Sequence, residues 1–219
     1  MAYVGITGAS SGLGAELAKA YAANHHHIYL LGRNEDRLLI IQREIQDAGG
    51  QADIIVCDVT EPSSVNEGMQ QIDQLDILIN NAGIGIFGPV VELDSPDITQ
   101  MLNTNVKGTI YMTQAALPLL EENGGRVLNI ISTAGLRGKV NESVYCASKF
   151  AQRGFTESLQ KEYENTNIQF TAVYMGGMNT PFWDQSDHVE NPSKMKNPAE
   201  VAAAIVESDD GRKEIYIDK

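Results

Sequence analysis

Tyr145 and Lys149 are the two residues of this sequence whose types and spacing most directly suggest chemistry. They lie four positions apart in YCASK, so on a helix they share one face. A phenol with a pKa of about 10 is a poor proton donor or acceptor near neutral pH. A neighbouring ammonium group stabilises the phenolate and lowers that pKa. The pair therefore predicts a general acid or base, although this spacing also occurs by chance on many helices.

Ser132 and Asn105 are two further polar residues at positions that suit such a site. Ser132 closes RVLNIIS (126–132), a predicted strand, and binding sites of open α/β sheets lie at the carboxyl ends of strands. Its hydroxyl is suited to donate to a carbonyl oxygen that gains negative charge, and a serine turn before the next helix is the alternative. Asn105 lies inside a long predicted helix, where asparagine is a mediocre helix former, and we expect it to order a water molecule.

A glycine-rich segment, TGASSGLG (7–14), lies between the first predicted strand and the first predicted helix. A helix N-terminus offers unpaired N–H groups and a positive dipole to a pyrophosphate, and glycines allow close approach. The spacing differs from the G-x-G-x-x-G fingerprint, and tight packing without a ligand is the alternative. We expect dinucleotide contacts from Gly8, Ser10, Ser11, Gly12, Leu13 and Gly14.

The same segment also satisfies G-x-S-x-G, which places Ser10 where a hydrolase would have its nucleophile. Such an enzyme has strands before this turn, and an acid and a histidine after it. Here the turn follows the first predicted strand, and His188 is the only later histidine outside the run at 25–27. A hydrolase therefore stays as an alternative hypothesis.

Arg33 holds the position that predicts which dinucleotide is bound. In a dinucleotide-binding fold, the residue about 20 positions beyond the glycines meets the adenosine ribose. A guanidinium group pairs with a 2′-phosphate, so we expect NADP(H) to be preferred and NAD(H) to remain possible. A surface arginine paired with Glu35 or Asp36 is the alternative. Asp58, which ends the third predicted strand, is placed to bind adenine or to cap a helix, and Val59 follows it in the predicted cofactor site.

Composition and charge exclude several classes of protein. The 219 residues are 42% hydrophobic and 21% charged, which is typical of a globular domain. The net charge of −13 repels nucleic-acid phosphates and anionic lipid, so we expect neither nucleic acid nor a membrane as partner. Cys57 and Cys146 are too few for a disulfide scaffold and lack zinc-site spacing, so we expect no metal. With no signal-peptide pattern at the start, we expect a cytoplasmic protein.

Short apolar runs alternate with stretches of helical periodicity, which predicts βαβ units and a parallel sheet. We predict a single domain over 1–219 with a Rossmann-type, doubly wound α/β fold: a seven-stranded, mostly parallel sheet with helices on both faces. A substrate loop is expected at about 176–197. The predicted strands are 2–7, 27–32, 52–58, 75–80, 126–132, 168–175 and 214–218. The predicted helices are 12–23, one that Asn34 caps and that runs to about 48, and those near 61–73, 95–122, 143–164 and 198–207.

These motifs occur together in an order that resembles the short-chain dehydrogenase/reductase family from end to end. The glycine motif is Thr7 to Gly14, and an NNAG motif is present as Asn80 to Gly83. The family's active-site tetrad matches Asn105, Ser132, Tyr145 and Lys149.

The resemblance implies a role for each member of the tetrad. Tyr145 would be the general acid for carbonyl reduction, or the base for alcohol oxidation. Lys149 would hold the nicotinamide ribose hydroxyls and lower the pKa of Tyr145. Ser132 would orient the substrate oxygen, and Asn105 would support a water molecule of a proton relay. The resemblance also adds further residues to the cofactor site: Asn81, Ala82, Gly83, Gly176 and Thr180.

The resemblance further implies an NADP(H)-dependent oxidoreductase acting on a small-molecule carbonyl/alcohol pair. A homodimer or homotetramer is implied as well, built from the helices near 95–122 and 143–164. Met175 stands where the family usually has proline, so we expect a differently shaped loop after the sixth strand. A non-catalytic NADP(H)-binding redox sensor remains the alternative, since fold alone does not fix function.

Overall fold

The apolar, β-branched segments form one parallel sheet in the computed structural model, which describes residues 1–184 and 186–217. Its strand order is β3-β2-β1-β4-β5-β6-β7, so the order reverses between β1 and β4. This reversal is the topological switch point, where such sheets bind their ligands. The strands are β1 (Tyr3–Thr7), β2 (His27–Gly32), β3 (Gln51–Val56), β4 (Ile77–Asn80), β5 (Gly125–Ile130), β6 (Ile168–Tyr174) and β7 (Glu214–Tyr216).

Helices cover both faces of this sheet, which confirms the predicted Rossmann-type fold. Within the described residues, no helix is both long and apolar enough to cross a membrane. Asp218, at the end of the last predicted strand, and Gln185, in the predicted substrate loop, lie outside the described residues. The helices are α1 (Gly12–Ala23), α2 (Glu35–Asp47), α3 (Pro62–Met69), α4 (Ser95–Leu102), α5 (Gly108–Asn123), α6 (Ser143–Glu162) and α7 (Pro198–Ser208).

Two apolar layers separate the sheet from its helices. One layer packs α1, α2 and α7 against the sheet, and the other packs α3, α5 and α6 against the opposite face. Leu30 and Leu31 are neighbours on β2 and lie in different layers, because successive side chains of a strand point to opposite faces. Both are almost fully buried, at 0% and 1% exposure.

The single long helix predicted for 95–122 is wrong in one respect. A π-helical turn, Asn103–Lys107, separates α4 from α5. Such wide turns are rare and occur frequently at functional sites. Asn105 lies at the centre of this turn and is fully buried.

Two of the strands that precede predicted site residues also end earlier than predicted. The third strand ends at Val56 and the fifth at Ile130, so Asp58 and Ser132 each follow their strand by two positions. Ser132 has a φ of +97°, which is unusual for a residue with a side chain. Both side chains nevertheless lie at the carboxyl edge of the sheet, where the predicted site requires them.

A buried carboxylate joins three elements of the fold near the amino edge of the sheet, opposite the predicted site. Asp209, just after α7, has a side chain that is 2% exposed. Its Oδ2 accepts a 2.8 Å hydrogen bond from the Tyr21 hydroxyl on α1 and a 3.1 Å hydrogen bond from Arg126 on β5. The carboxylate therefore joins the last helix to the first helix and to the sheet.

Replacing Asp209 with asparagine should lower the free energy of unfolding by about 1.5 to 3 kcal/mol, the range for hydrogen bonds to charged groups. Chemical denaturation measures this change. Asp210→Asn is the matched control, because the Asp210–Arg212 pair is exposed and its loss should leave stability unchanged. Equal stabilities of the two variants would contradict the role given to Asp209.

Candidate active site

A cleft of about 940 Å³ opens at the carboxyl edge of the sheet, over the switch point. It runs from the glycine-rich turn to Tyr145. Every residue predicted for the site lines this cleft except Gly14 and Asn105. The structure therefore brings together side chains that are far apart in the sequence.

The glycine-rich turn is shaped by backbone constraints. Gly8 and Gly12 have φ values of +66° and +56°, in the left-handed region that favours glycine. A methyl group at Gly14 would overlap the Gly8 carbonyl oxygen and the Asn81 side chain. Gly14 therefore permits close packing behind the turn and does not line the cleft.

The N-terminus of α1 faces this cleft, and its backbone N–H groups are suited to bind an anion. The Ser11 side chain makes no capping hydrogen bond, and the first turn of α1 contains no acidic residue. The first N–H groups of a helix have no intrahelical partner and lie at its positive end. This arrangement suits a pyrophosphate group.

Thr7 joins the glycine-rich turn to the loop after β4. Its hydroxyl oxygen accepts 3.0 Å hydrogen bonds from the backbone N–H groups of Asn81 and Ala82. The Asn81 side chain donates to the Thr7 carbonyl at 2.9 Å. Asn81 thus positions the turn, and Thr7 is a supporting residue that the sequence analysis did not assign.

Arg33 lies at the far end of the cleft and is well exposed. Its nearest described ion-pair partner is Asp58, at 4.0 Å, and not Glu35 or Asp36. The other Asp58 oxygen, Oδ1, accepts hydrogen bonds from the Thr60 backbone and hydroxyl at 2.9 and 2.8 Å. Asp58 therefore holds the local turn and also faces Arg33.

Arg37 is a second arginine at this end of the cleft, and sequence reasoning missed it. It follows Arg33 by four positions in RNEDR. Asn34 caps α2 by accepting a 2.9 Å hydrogen bond from the Arg37 backbone N–H, which places Arg37 in the first turn. The two arginines give this end of the cleft a positive charge that suits a phosphate group.

Tyr145 is buried in the first turn of α6 beside Ser132. Burial raises the pKa of the phenol, whereas a hydrogen bond with the Ser132 hydroxyl acts to lower it. The expected lowering of the Tyr145 pKa is therefore wrong for this structure, because desolvation disfavours the phenolate more than the neighbouring groups favour it. The phenol remains protonated near neutral pH, which is the form a proton donor needs.

Lys149 is also buried, at 4% exposure. Its Nζ lies 5.7 Å from the centroid of the Tyr145 ring. It donates to the Ile130 carbonyl at 3.0 Å and to the Gln152 side-chain oxygen at 2.7 Å. Burial lowers the pKa of Lys149 to about 7. The buried ammonium group therefore loses its proton more readily than an exposed lysine does.

The Asn105 side chain ties three elements together. Its Oδ1 accepts a 2.8 Å hydrogen bond from the Ile84 N–H, and its Nδ2 donates to the Ile84 carbonyl at 2.9 Å. The same Nδ2 donates to the Ser148 hydroxyl on α6 at 3.0 Å. The π-turn thus holds the loop after β4 against α6. The water-ordering role of Asn105 stays a prediction.

An aromatic wall surrounds Tyr145. Phe87 and Phe182 pack against the Tyr145 ring with centroids 5.4 and 5.9 Å away. Trp183 stacks on Phe87 at 5.4 Å, and its indole N–H donates to the Met178 carbonyl at 2.9 Å. Phe182 and Trp183 therefore line the cleft, and Trp183 also anchors the loop that carries them.

His188 belongs to this wall and not to a catalytic triad. Its ring stacks on Phe87 at 4.6 Å, and its Nε2 lies 3.1 Å from a Glu142 carboxylate oxygen. Among the described residues, no hydrogen bond joins His188 to Ser10, so the arrangement that a hydrolase needs is not formed. Over the described part of the chain there is also no cluster of three metal-ligating side chains.

The sequence matches the family model of short-chain dehydrogenases over residues 2–191. The chain belongs to the short-chain dehydrogenase/reductase family. It is therefore related to oxidoreductases along most of its length, which agrees with the resemblance inferred from its motifs.

Known members of the short-chain dehydrogenase/reductase family resemble the chain in sequence and structure. A sepiapterin reductase of Chlorobaculum tepidum is 33% identical over 215 residues, covering 93% of this chain and 88% of that protein. An alcohol dehydrogenase from the archaeon Thermococcus sibiricus, complexed with 5-hydroxy-NADP, has a TM-score of 0.91 at 26% identity and covers 99% of this chain and 96% of that chain. A serine dehydrogenase complexed with NADP+ has a TM-score of 0.90 at 26% identity, with coverages of 98% and 94%.

Gly14→Ala should destabilise the protein by about 1 to 3 kcal/mol or more, as overpacking does, because the methyl group would meet backbone atoms of the glycine-rich turn. Gly138→Ala is the matched control, since a methyl group there meets open space. Thermal unfolding compares the two variants. A Gly14→Ala protein as stable as the control would show that the turn packs differently.

Proposed function

We propose that this short-chain dehydrogenase/reductase interconverts a carbonyl and an alcohol by NADP(H)-dependent hydride transfer, with Tyr145 as general acid/base. The observation that carries the proposal is the placement of Tyr145, Ser132 and Lys149 at one end of a cleft whose other end carries Arg33 and Arg37. A proton donor and a phosphate-binding end in the same cleft match the needs of this reaction.

The residues of the cleft fit an NADP-type dinucleotide. The volume of about 940 Å³ lies near the upper end of ligand pockets, which span about 300–1,000 Å³. The N-terminus of α1 would bind the pyrophosphate, and Arg33 with Arg37 would bind the 2′-phosphate. Lys149 would hold the nicotinamide ribose hydroxyls. The similar alcohol and serine dehydrogenases, complexed with 5-hydroxy-NADP and NADP+, support this assignment.

The chain's own residues would handle the proton, while the bound nucleotide would supply or accept the hydride. In the reducing direction, Ser132 would donate a hydrogen bond to the substrate carbonyl oxygen. Tyr145, whose burial keeps it protonated, would donate its proton to that oxygen as negative charge develops. The Lys149 ammonium group would stabilise the phenolate that remains. In the oxidising direction the phenolate would take the proton back.

The aromatic wall would exclude water from this step. Phe87 and Phe182 lie directly against the Tyr145 ring. A drier site strengthens the hydrogen bonds and charges inside it. The wall would also present an apolar surface to the substrate, which we propose is a small molecule.

The proposal includes assembly into a homodimer or homotetramer in the cytoplasm. The apolar side chains of Leu102 and Phe150 are 37% and 43% exposed. They lie on α4 and α6, the helices for which the family resemblance implies an interface. Burial of these side chains between subunits would remove apolar surface from water.

Tyr145→Phe should lower turnover by about 10²- to 10⁴-fold, the usual contribution of a general acid or base. NADPH affinity should stay within a few-fold, because only a hydroxyl is removed. NADPH oxidation with a panel of aldehydes and ketones measures turnover, and fluorescence titration measures affinity. Tyr163→Phe, the same change at the other end of α6, should retain full turnover. Unchanged turnover in Tyr145→Phe would remove the proposed acid.

Arg33→Asp should weaken NADPH binding by about tenfold or more, since a charge-assisted hydrogen bond contributes about 1.5 to 3 kcal/mol. NADH binding should change little, because NADH lacks the 2′-phosphate. Arg43→Asp is the matched control: it makes the same charge change on an exposed position of α2. Parallel titrations with both nucleotides test the prediction. Equal losses for NADPH and NADH would reject the role of Arg33.

A further inference from the structure

Gln152 contacts Lys149 on α6 and has no role in the mechanism above. It is 1% exposed, on the inner face of α6. Its side-chain oxygen accepts a 2.7 Å hydrogen bond from Lys149 Nζ, and its Nε2 donates to the Thr109 hydroxyl on α5 at 2.7 Å. Gln152 therefore joins Lys149 to α5.

The hydrogen bonds of Thr109 fix the orientation of the Gln152 amide. The Thr109 hydroxyl donates its proton to the Asn105 carbonyl at 2.9 Å. Since a hydroxyl has only one proton to donate, its oxygen can only accept from Gln152. The amide nitrogen of Gln152 must then face Thr109, and the amide oxygen must face Lys149.

A buried network also joins the backbone of Gln152 to the sheet. The Thr156 hydroxyl donates to the Gln152 backbone carbonyl at 2.7 Å. Asn129 on β5 donates to Thr156 at 2.8 Å, and Asn80 on β4 donates to Asn129 at 2.9 Å. Chains of buried hydrogen bonds of this kind limit the movement of the groups that they join. The position of Gln152 is thus set by two strands and two helices.

We propose that Gln152 is a positioning residue that holds the Lys149 ammonium group in the geometry and charge state used in the reaction. The proposal rests on the proposed function, because it assigns Gln152 a task through Lys149. It goes beyond that function by adding a residue that touches neither the nucleotide nor the substrate.

The orientation of the Lys149 ammonium group follows from the acceptors that its N–H donors contact. An ammonium group has three N–H donors. Two of them are used by the Ile130 carbonyl and the Gln152 amide oxygen. The remaining donor is then available to the cleft that Lys149 lines. Without Gln152, the ammonium group could turn away from the cleft.

The charge state follows from the surroundings of Lys149. Burial is the cause of its lowered pKa, of about 7. The groups that face it are neutral: the Ile130 carbonyl from β5, the Tyr145 phenol and Gln152 amide from α6, and Gly83 from the loop after β4. The Gln152 oxygen accepts a hydrogen bond from the charged form and so opposes the loss of the proton.

Glu142, which directly precedes α6, is a carboxylate that could also stabilise the Lys149 charge. It raises the pKa of Tyr145, but among the described residues no hydrogen bond or ion pair joins Glu142 to Lys149, whereas Gln152 accepts a hydrogen bond from Lys149 Nζ. Its own contacts are with His188 at 3.1 Å and Lys139 at 3.8 Å. Glu142 therefore does not replace Gln152 as the group that stabilises the Lys149 charge.

Two substitutions at Gln152 test the proposal because they should act in opposite directions. Gln152→Leu removes the acceptor and should lower the pKa of Lys149 by about one unit or more. Gln152→Glu places a carboxylate at the same distance and should raise it by about one unit or more. NMR of the intact protein with isotope-labelled lysine measures this titration, with the Lys149 signal identified by its loss in Lys149→Arg.

Gln160 provides matched controls on the same helix. Its side chain donates to the Phe170 and Lys213 carbonyls at 2.9 and 2.8 Å, away from Lys149. Gln160→Leu and Gln160→Glu should reduce stability without shifting the Lys149 titration. Should Gln152→Leu fail to fold, the upward shift expected for Gln152→Glu still decides the question. An unchanged Lys149 titration, or shifts in the same direction, would overturn the proposal.

The pH profile of turnover connects this result to the reaction. If charged Lys149 is required, activity falls as pH rises through the Lys149 pKa. The alkaline limb of kcat should then move to lower pH in Gln152→Leu and to higher pH in Gln152→Glu. An NMR shift with an unmoved kcat profile would overturn the link to the reaction. Failure of the unmodified protein to reduce any carbonyl would instead overturn the proposed function. The NMR titration would still test whether Gln152 controls the pKa of Lys149.

Discussion

Burying the ammonium group of Lys149 is the constraint on which the candidate site depends. A charged group taken out of water loses hydration that only hydrogen bonds or opposite charge can replace. The Ile130 carbonyl and the Gln152 amide oxygen replace part of it. What remains shows as the lowered pKa of Lys149, about 7. The fold therefore fixes the Lys149 cation beside the Tyr145 ring, whereas the side chain of a surface lysine would be flexible.

The topology of the sheet explains how these groups reach one place. Because the strand order reverses between β1 and β4, the loops after these strands separate and leave a cleft. At the base of this cleft, Thr7 joins the glycine-rich turn to the loop after β4. Asn80 and Asn129 are paired on neighbouring strands and carry hydrogen bonds from the sheet towards α6. Polar side chains inside the sheet thus support the end of the cleft where Tyr145 and Lys149 lie.

The sequence was sufficient to predict the sheet and most of its helices, because these follow from local periodicity, and strand-end placement with the family resemblance predicted many residues of the cleft. It was not sufficient for the π-turn around Asn105, which depends on contacts with the distant Ile84 backbone. The direction of the Tyr145 pKa was also mispredicted, because spacing indicates a neighbouring lysine but does not reveal burial. Arg37 and Gln152 were missed for a related reason: their importance arises from what they face in three dimensions.

The central claim is that the Tyr145 phenol and the Lys149 ammonium group face the reactive carbon of a bound nicotinamide. A crystal structure of the protein with NADPH tests it most directly. The account predicts a pyrophosphate at the N-terminus of α1, a 2′-phosphate at Arg33 and Arg37, and ribose hydroxyls within hydrogen-bond distance of Lys149 Nζ. The nicotinamide C4 should face the space beside the Tyr145 hydroxyl. A nucleotide bound elsewhere, or with its nicotinamide turned away from Tyr145, would contradict the account.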